Sequence, residues 1–169
     1  MAKTTTGGRG DPAALPLRPC VGVVLANARG EVFLAERIDT PGAWQMPQGG
    51  IDPGEDAQTA ALRELEEEIG VPPGLVAVEA EHPNWLDYEL PDHLIGKVWK
   101  GRWRGQTQRW FLVRFHGTGE DITLDVPHPE FSAWRWGSAD EAIDAIVPFK
   151  RDIYETVLSH FRRFLGSSS

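Results

Sequence analysis

The chain has 169 residues, 41% hydrophobic and 25% charged, with 17 Lys and Arg against 25 Asp and Glu for a net charge of −8. That length and composition suit one soluble globular unit with an ordinary core, and the acidic balance excludes a broad basic face for duplex DNA. A single cysteine, Cys20, excludes an internal disulfide framework, no apolar run nears the roughly 20 residues of a membrane span, and the N-terminus lacks the apolar centre of a signal peptide, so the expected location is the cytoplasm.

Residues 1–16, rich in Gly, Thr and Pro without periodicity, read as a disordered arm, residues 17–165 as one domain and residues 166–169 as a flexible tail. Val21 to Ala26 is a continuous apolar run with β-branched character, a buried strand. Asn27 to Gly30 is turn chemistry, and Glu31 to Glu36 reads as the hairpin partner of that strand. A loop through Pro41-Gly42 then leads to Gly49-Gly50, adjacent glycines that suit either a close approach of backbone to a neighbour or ligand, or a plain turn.

The next segment is a helix with an unusual charge distribution. At about 100° per residue, Ala61, Leu62, Leu65 and Ile69 form one apolar stripe and Glu64, Glu67 and Glu68 fall together on the adjoining arc. Like charges at i, i+3 and i+4 repel, and they lie near the C-terminal end that Gly70 and Pro72-Pro73 enforce, where the helix dipole disfavours negative charge. Arg63 compensates only part of this. A solvated acidic face is the ordinary reading of such a run; the other is a set of hard oxygen ligands for a divalent cation.

Further along, Leu75 to Ala80 and Trp110 to Phe115 read as strands, His82 to Pro91 as a loop, and Glu130 to Trp136 as a last strand. Gly96 to Arg109 holds five basic residues and two tryptophans, a pattern that suits phosphate and base contact or a solvated loop with aromatic anchors. Ser138 followed three residues later by Glu141 is a capping box opening a helix, and Ile153, Val157, Leu158, Phe161 and Leu165 recur at helical spacing to close the chain. Strands and helices in mixed order point to an α/β or α+β sandwich.

Taken with its spacing, the acidic stretch is Gly49, five residues, Glu55, seven residues, Arg63-Glu64-Leu65, one residue, Glu67-Glu68, one residue, Gly70-Val71. It resembles the Nudix box at every fixed position. The resemblance implies an α/β/α sandwich with a mixed sheet between helices, and hydrolysis of a nucleoside diphosphate linked to some other group, with divalent metals held by the box glutamates. Arg18-Pro19, Trp44 to Gly50, Asn84 to Tyr88, Gly105 to Phe111, Pro129-Glu130-Phe131 with Trp134-Arg135-Trp136, and Phe149-Lys150-Arg151 extend it to a subgroup. That subgroup comprises bacterial RNA pyrophosphohydrolases and plant-type diadenosine tetraphosphate hydrolases.

Carried over by position, the resemblance implies Mg2+, with Mn2+ as an alternative, held by Glu64, Glu67, Glu68, Glu130 and the Gly49 carbonyl. Glu67, Glu68 and Glu130 become the candidate catalytic carboxylates, and Glu55 with Arg63 ties loop to helix. Arg18, Arg37, Arg109, Tyr88, Phe149 and Lys150 become substrate-binding residues, with Lys97 and Lys100 as further candidates; for Phe149 a core position is the alternative. The subgroup commonly has lysine where Arg109 stands, which keeps the charge and adds bidentate reach. The expected activity is removal of pyrophosphate from the 5′-triphosphate end of RNA, initiating mRNA decay. Cleavage of dinucleoside polyphosphates is the alternative within enzymes, and a non-catalytic nucleotide-binding regulatory module the alternative outside them. A monomer with no duplex DNA or membrane partner is expected.

Overall fold

In the computed structural model, residues 15–166 are described, so the arm reading for residues 1–14 and the tail reading for residues 167–169 lie outside them. Leu15 and Pro16 are already tied to the body, their carbonyls accepting from the Arg104 side chain and backbone. At the other end Gly166 donates its backbone N–H to the Gly30 carbonyl.

Eight strands among the described residues form one mixed sheet. Its spine is the parallel pair β1 (Leu17–Ala26) and β7 (Gly105–Phe115), in register over ten residues from Leu17↔Gly105 to Ala26↔Arg114. All other pairings are antiparallel: β2 (Val32–Arg37) with β3 (Trp44–Gln45) and β8 (Phe131–Gly137), β4 (Gln48–Gly50) with β1, and β5 (Val76–Glu81) and β6 (Leu86–Glu89) with β7.

Two apolar layers cover the two faces. On one, Ala60, Ala61, Leu65 and Ile69 of α1 (Ala57–Ile69) pack on Val21, Val23, Phe111 and Val113. On the other, α2 (Ala139–Ala145) and α3 (Arg151–His160) bring Ala142, Ile153, Tyr154, Val157 and Leu158 onto Val24, Trp110 and Leu112. Alternate residues of β1 and β7 serve opposite layers because strand side chains alternate. This is the mixed sheet between helices that the sequence implies.

The helix ends follow local chemistry. Asp56 caps α1 by accepting from the Thr59 N–H at 3.1 Å, and Gly70 ends it with φ 71°, the left-handed conformation that glycine adopts without cost. Both halves of the capping box at the start of α2 are present, Ser138 to the Glu141 N–H and Glu141 to the Ser138 N–H.

Four expectations change. The β1–β2 hairpin is registered only at Ala26↔Val32, after which β2 pairs with β8 and the neighbouring edge of β1 takes β4. Part of the expected loop from His82 to Pro91 is strand β6, and β7 begins five residues before the apolar run. The closing helix ends at His160, and a 3₁₀ turn over Arg162–Phe164 carries the chain to Leu165.

Candidate active site

Two clefts open beside the middle of the sheet. The first, of about 250 Å³, is lined by Glu64, Glu67 and Glu68 of α1 and by Pro127, His128 and Glu130 of the segment before β8. Helical spacing puts Glu64 and Glu68 one turn apart beside the apolar stripe, so both are buried, while Glu67 stays exposed. Both carboxylate oxygens of Glu68 are buried without a hydrogen-bond partner. Burial, helped by the neighbouring Glu64 and Glu130 carboxylates, pushes the Glu68 carboxyl well above the usual range. Partial desolvation and Glu64 also raise Glu130, with Arg37 and Arg18 offsetting part of the effect.

Arg63 organises the rim. Its guanidinium donates to Glu55 through Nε and Nη2, both at 2.9 Å, to the Gly50 carbonyl at 2.9 Å, to Glu64 at 3.1 Å and to Glu67 at 3.0 Å. The Arg63 bonds hold the Glu55 carboxyl low, to about 2. Loop and helix are thereby joined, yet Glu68 receives nothing from Arg63.

Gly49 and Gly50 give each face of β4 a cradle. A Cβ on Gly49 would run into the Glu64 carboxylate, and one on Gly50 into the Arg18 guanidinium. Only glycine lets these charged groups approach the strand so closely. Glu64 and Arg18 thus lie against opposite faces of one short strand.

The second cleft, of about 580 Å³, is lined by Arg37, Asp39, Gln45, Tyr88, Phe149 and Lys150 together with apolar residues that include Leu94, Val98 and Trp99. The Tyr88 and Phe149 rings stand 5.6 Å apart at 47°, and Lys150 Nζ lies 5.6 Å from the Tyr88 ring centre. Lys150 is 7% exposed and makes no ion pair within the described residues; burial first, then Arg37, lowers its ammonium to about 8. The Tyr88 hydroxyl is also buried without a partner, and burial raises it above its ordinary range.

Arg37, at the end of β2, stands between the clefts. Glu130 and Glu68 both act on its charge, and the Ile38 N–H donates to the Glu130 carbonyl at 3.0 Å. Asp39 grips it in a two-bond fork, Nε to Oδ1 at 2.7 Å and Nη2 to Oδ2 at 2.6 Å, and Gln45 accepts from Nη1 at 3.2 Å. These bonds leave part of the Nη1/Nη2 edge available to an anion.

Most of the residues singled out in the sequence therefore fall into two groups. Glu64, Glu67, Glu68 and Glu130 share the acidic cleft, with Gly49 against Glu64; Arg37, Tyr88, Phe149 and Lys150 share the other. Arg18 lies at Gly50 beside both. Arg109 lines neither, since it pairs with Glu81 and stacks on the Trp85 ring at 5.6 Å, and the further candidates Lys97 and Lys100 are exposed and line neither cleft, so they are not part of the site around the reacting end. Asp39, Gln45 and His128 are additions. No spacing rule marks Asp39, whereas His128 could have been found from its place two residues before Glu130.

The acidic cleft fits a divalent cation by its donor set. A doubly orphaned buried carboxylate next to further carboxylates is the arrangement that a hard cation relieves. Among the described residues, however, no three His, Cys, Asp or Glu side chains already stand in a metal-binding geometry. The carboxylates share a cleft rather than a closed ligand sphere, as mutual repulsion and the Arg63 bonds require.

A conserved-domain match to the NUDIX domain spans residues 16–157, and the chain belongs to the Nudix hydrolase family. Within it, the chain is 57% identical over 154 residues to an RNA pyrophosphohydrolase of Roseobacter denitrificans, covering 90% of this chain and 96% of that one. It is 54% identical over 157 residues to an RNA pyrophosphohydrolase of Cereibacter sphaeroides, covering 92% and 97%. Its fold is like that of a C. elegans Ap4A hydrolase in a binary complex, with TM-score 0.64 and 21% identity over 87% of this chain and 99% of that chain.

Proposed function

We propose that this chain is a metal-dependent pyrophosphohydrolase that removes pyrophosphate from the 5′-triphosphate end of RNA, initiating mRNA decay. The observation that carries the reading is the juxtaposition, on either side of Arg37, of a cleft of under-neutralised carboxylates and a cleft of cations and aromatic rings. The near full-length relatives named RNA pyrophosphohydrolase support RNA as substrate. Among the described residues no helix is long and apolar enough to cross a membrane. The protein acts in this reading as a cytoplasmic monomer, with no duplex DNA partner.

Glu64, Glu67, Glu68, Glu130 and the Gly49 carbonyl would hold Mg2+, with Mn2+ as an alternative. The ion would supply charge neutralisation and Lewis acidity. One carboxylate among Glu67, Glu68 and Glu130 takes a proton from the attacking water as the P–O–P bond breaks, leaving a 5′-monophosphate and pyrophosphate. Arg18 and Arg37 bind the polyphosphate and meet the charge that develops on it, whereas Arg109, held by Glu81 and Trp85 outside both clefts, is left out of this role. Tyr88 and Phe149 flank the nucleoside, and Lys150, beside the Tyr88 ring, contacts base or phosphate.

The test compares specificity constants for triphosphorylated RNA and diadenosine tetraphosphate with magnesium under identical conditions. A higher value for RNA is expected. Preference for the dinucleotide would transfer the assignment to dinucleoside polyphosphates, and no product from either would leave a nucleotide-binding module.

A further inference from the structure

One feature of the charge distribution lies outside both clefts. Although the chain carries a net charge of −8, no Asp or Glu occurs from His93 to Gly119, while Lys97, Lys100, Arg102, Arg104, Arg109 and Arg114 all do. Three of these cations are neutralised locally: Arg104 by Glu89, Arg109 by Glu81 and Arg114 by Glu79. Lys97, Lys100 and Arg102 are exposed and form no ion pair within the described residues.

The loop that bears them is two-sided. Leu94, Ile95, Val98 and Trp99 pack against the core, and Leu94, Val98 and Trp99 also line the cleft that holds Arg37 and Lys150. Exposed cations alternate along the chain with these cleft-lining residues, Lys97 before Val98 and Lys100 after Trp99. Trp99 and Lys100 both adopt left-handed backbone, φ 51° and 59°, which residues other than glycine seldom do. The Gly101 N–H bonded to the Val98 carbonyl at 2.9 Å closes this turn. A costly conformation that puts an aromatic side chain on the cleft and a lysine in solvent at consecutive positions asks for a use.

We propose that Lys97, Lys100 and Arg102 form a track for the phosphodiester backbone of single-stranded RNA leaving the cleft. The inference rests on the RNA reading above and extends it to the body of the substrate. Single-stranded nucleic acid is held by cations that follow its backbone beside aromatic side chains, and a cleft seating the 5′ end delivers the following phosphates to its rim. A dinucleoside polyphosphate ends in a second nucleoside and brings no such run of phosphates. The track therefore separates the two substrate classes by length rather than by chemistry at the reacting bond.

The test uses the full chain with Lys97→Gln, Lys100→Gln and Arg102→Gln combined, set against wild type and against Lys97→Arg/Lys100→Arg, which keeps the charge. Binding of a 20-nucleotide triphosphorylated RNA and of a triphosphorylated dinucleotide is read by fluorescence anisotropy across a salt series. KM and kcat are measured in parallel, and melting curves confirm equal folding. Loss of three contacts should weaken long-RNA binding about tenfold at moderate salt and flatten its log–log salt slope by about 2, at roughly 0.7 per contact. The dinucleotide KM and both kcat values should stay unchanged, and the charge-preserving variant should bind like wild type. Unaltered long-RNA binding by the triple variant, or equal losses on the dinucleotide, would overturn the track. A wild type that binds long RNA through these residues but releases no pyrophosphate would overturn the functional reading alone.

Discussion

The cleft on the α1 face closes around Glu68, whose two oxygens are buried without a partner, and the cleft on the α3 face around Lys150, buried without an ion pair within the described residues. One is an acid pushed toward its protonated form, the other a base lowered to about 8 toward its neutral form. An isolated buried charge costs several kcal/mol, and each group reduces that cost by moving toward neutrality. What the two clefts teach is that the site keeps its charge in reserve, which in the proposed function a cation on one side and a polyphosphate on the other would draw out.

Glu68→Gln tests the acidic half most severely. Turnover should fall about a thousandfold, while the metal-free protein melts at a higher temperature because a buried ionisable group has gone. Calorimetry with and without Mg2+ reads both effects, and a variant still stabilised by metal as strongly as wild type would break the comparison.

The adjacent glycines allow the two halves to be injured separately. Gly49→Ala displaces the Glu64 carboxylate and should lower kcat by up to about a hundredfold, whereas Gly50→Ala displaces the Arg18 guanidinium and should raise KM instead. Little change in melting temperature is expected for Gly49→Ala, since the obstructing atoms end a flexible side chain. Identical kinetic profiles for the two variants would merge the clefts into one undivided site.

Lys150→Met should raise KM for a triphosphate about tenfold, through loss of a charge-assisted contact. It should also stabilise the ligand-free protein. With a folded pKa of about 8 against an ordinary 10.5, lysine destabilises nothing above pH 10.5, where it is neutral folded or unfolded. The cost grows as pH falls to about 8 and is constant below. The gain at pH 7 is therefore up to about 3 kcal/mol and vanishes above pH 10.5, as denaturant titrations at pH 7 and 10.5 would reveal.

Asp39→Ala carries the smallest expected effect. Released from its fork, Arg37 should lose orientation and KM should rise about threefold at unchanged kcat, a modest figure because Asp39 is 64% exposed. A fall in KM would mean that Asp39 competes with substrate for the guanidinium, and would recast the Arg37 boundary as a blocked one.

Much of the acidic cleft was legible because its residues share a helix and a fixed spacing; Glu130 could be added only through the Pro129-Glu130-Phe131 and Trp134-Arg135-Trp136 pattern. The start of β7 was not legible, for a physical reason. Gln106 and Gln108 are 3% and 1% exposed, yet they satisfy each other at 2.7 Å, and the Trp110 indole donates to Gln108 at 2.8 Å. A strand that buries amides in pairs looks polar to any hydropathy reading. Strand β6 did carry a signal, the alternation of Leu86 and Tyr88 inward with Asp87 and Glu89 outward, but four residues are few to trust. The neighbours of β2 were beyond reach, since alternation fixes which face a residue serves and not which strand it pairs with.

The Gly49-Gly50 pair also guards the assembly of the site. Its register against β1, Val21↔Gly49 and Cys20↔Gly50, is what sets Glu64 and Arg18 on their respective faces. A slip of one residue would turn each cradle to the wrong side and set a side chain where a charged group must lie. Misregistered pairing is thus penalised by the same charges to which the proposed function assigns the chemistry, so the candidate site acts as a proofreader of its own fold.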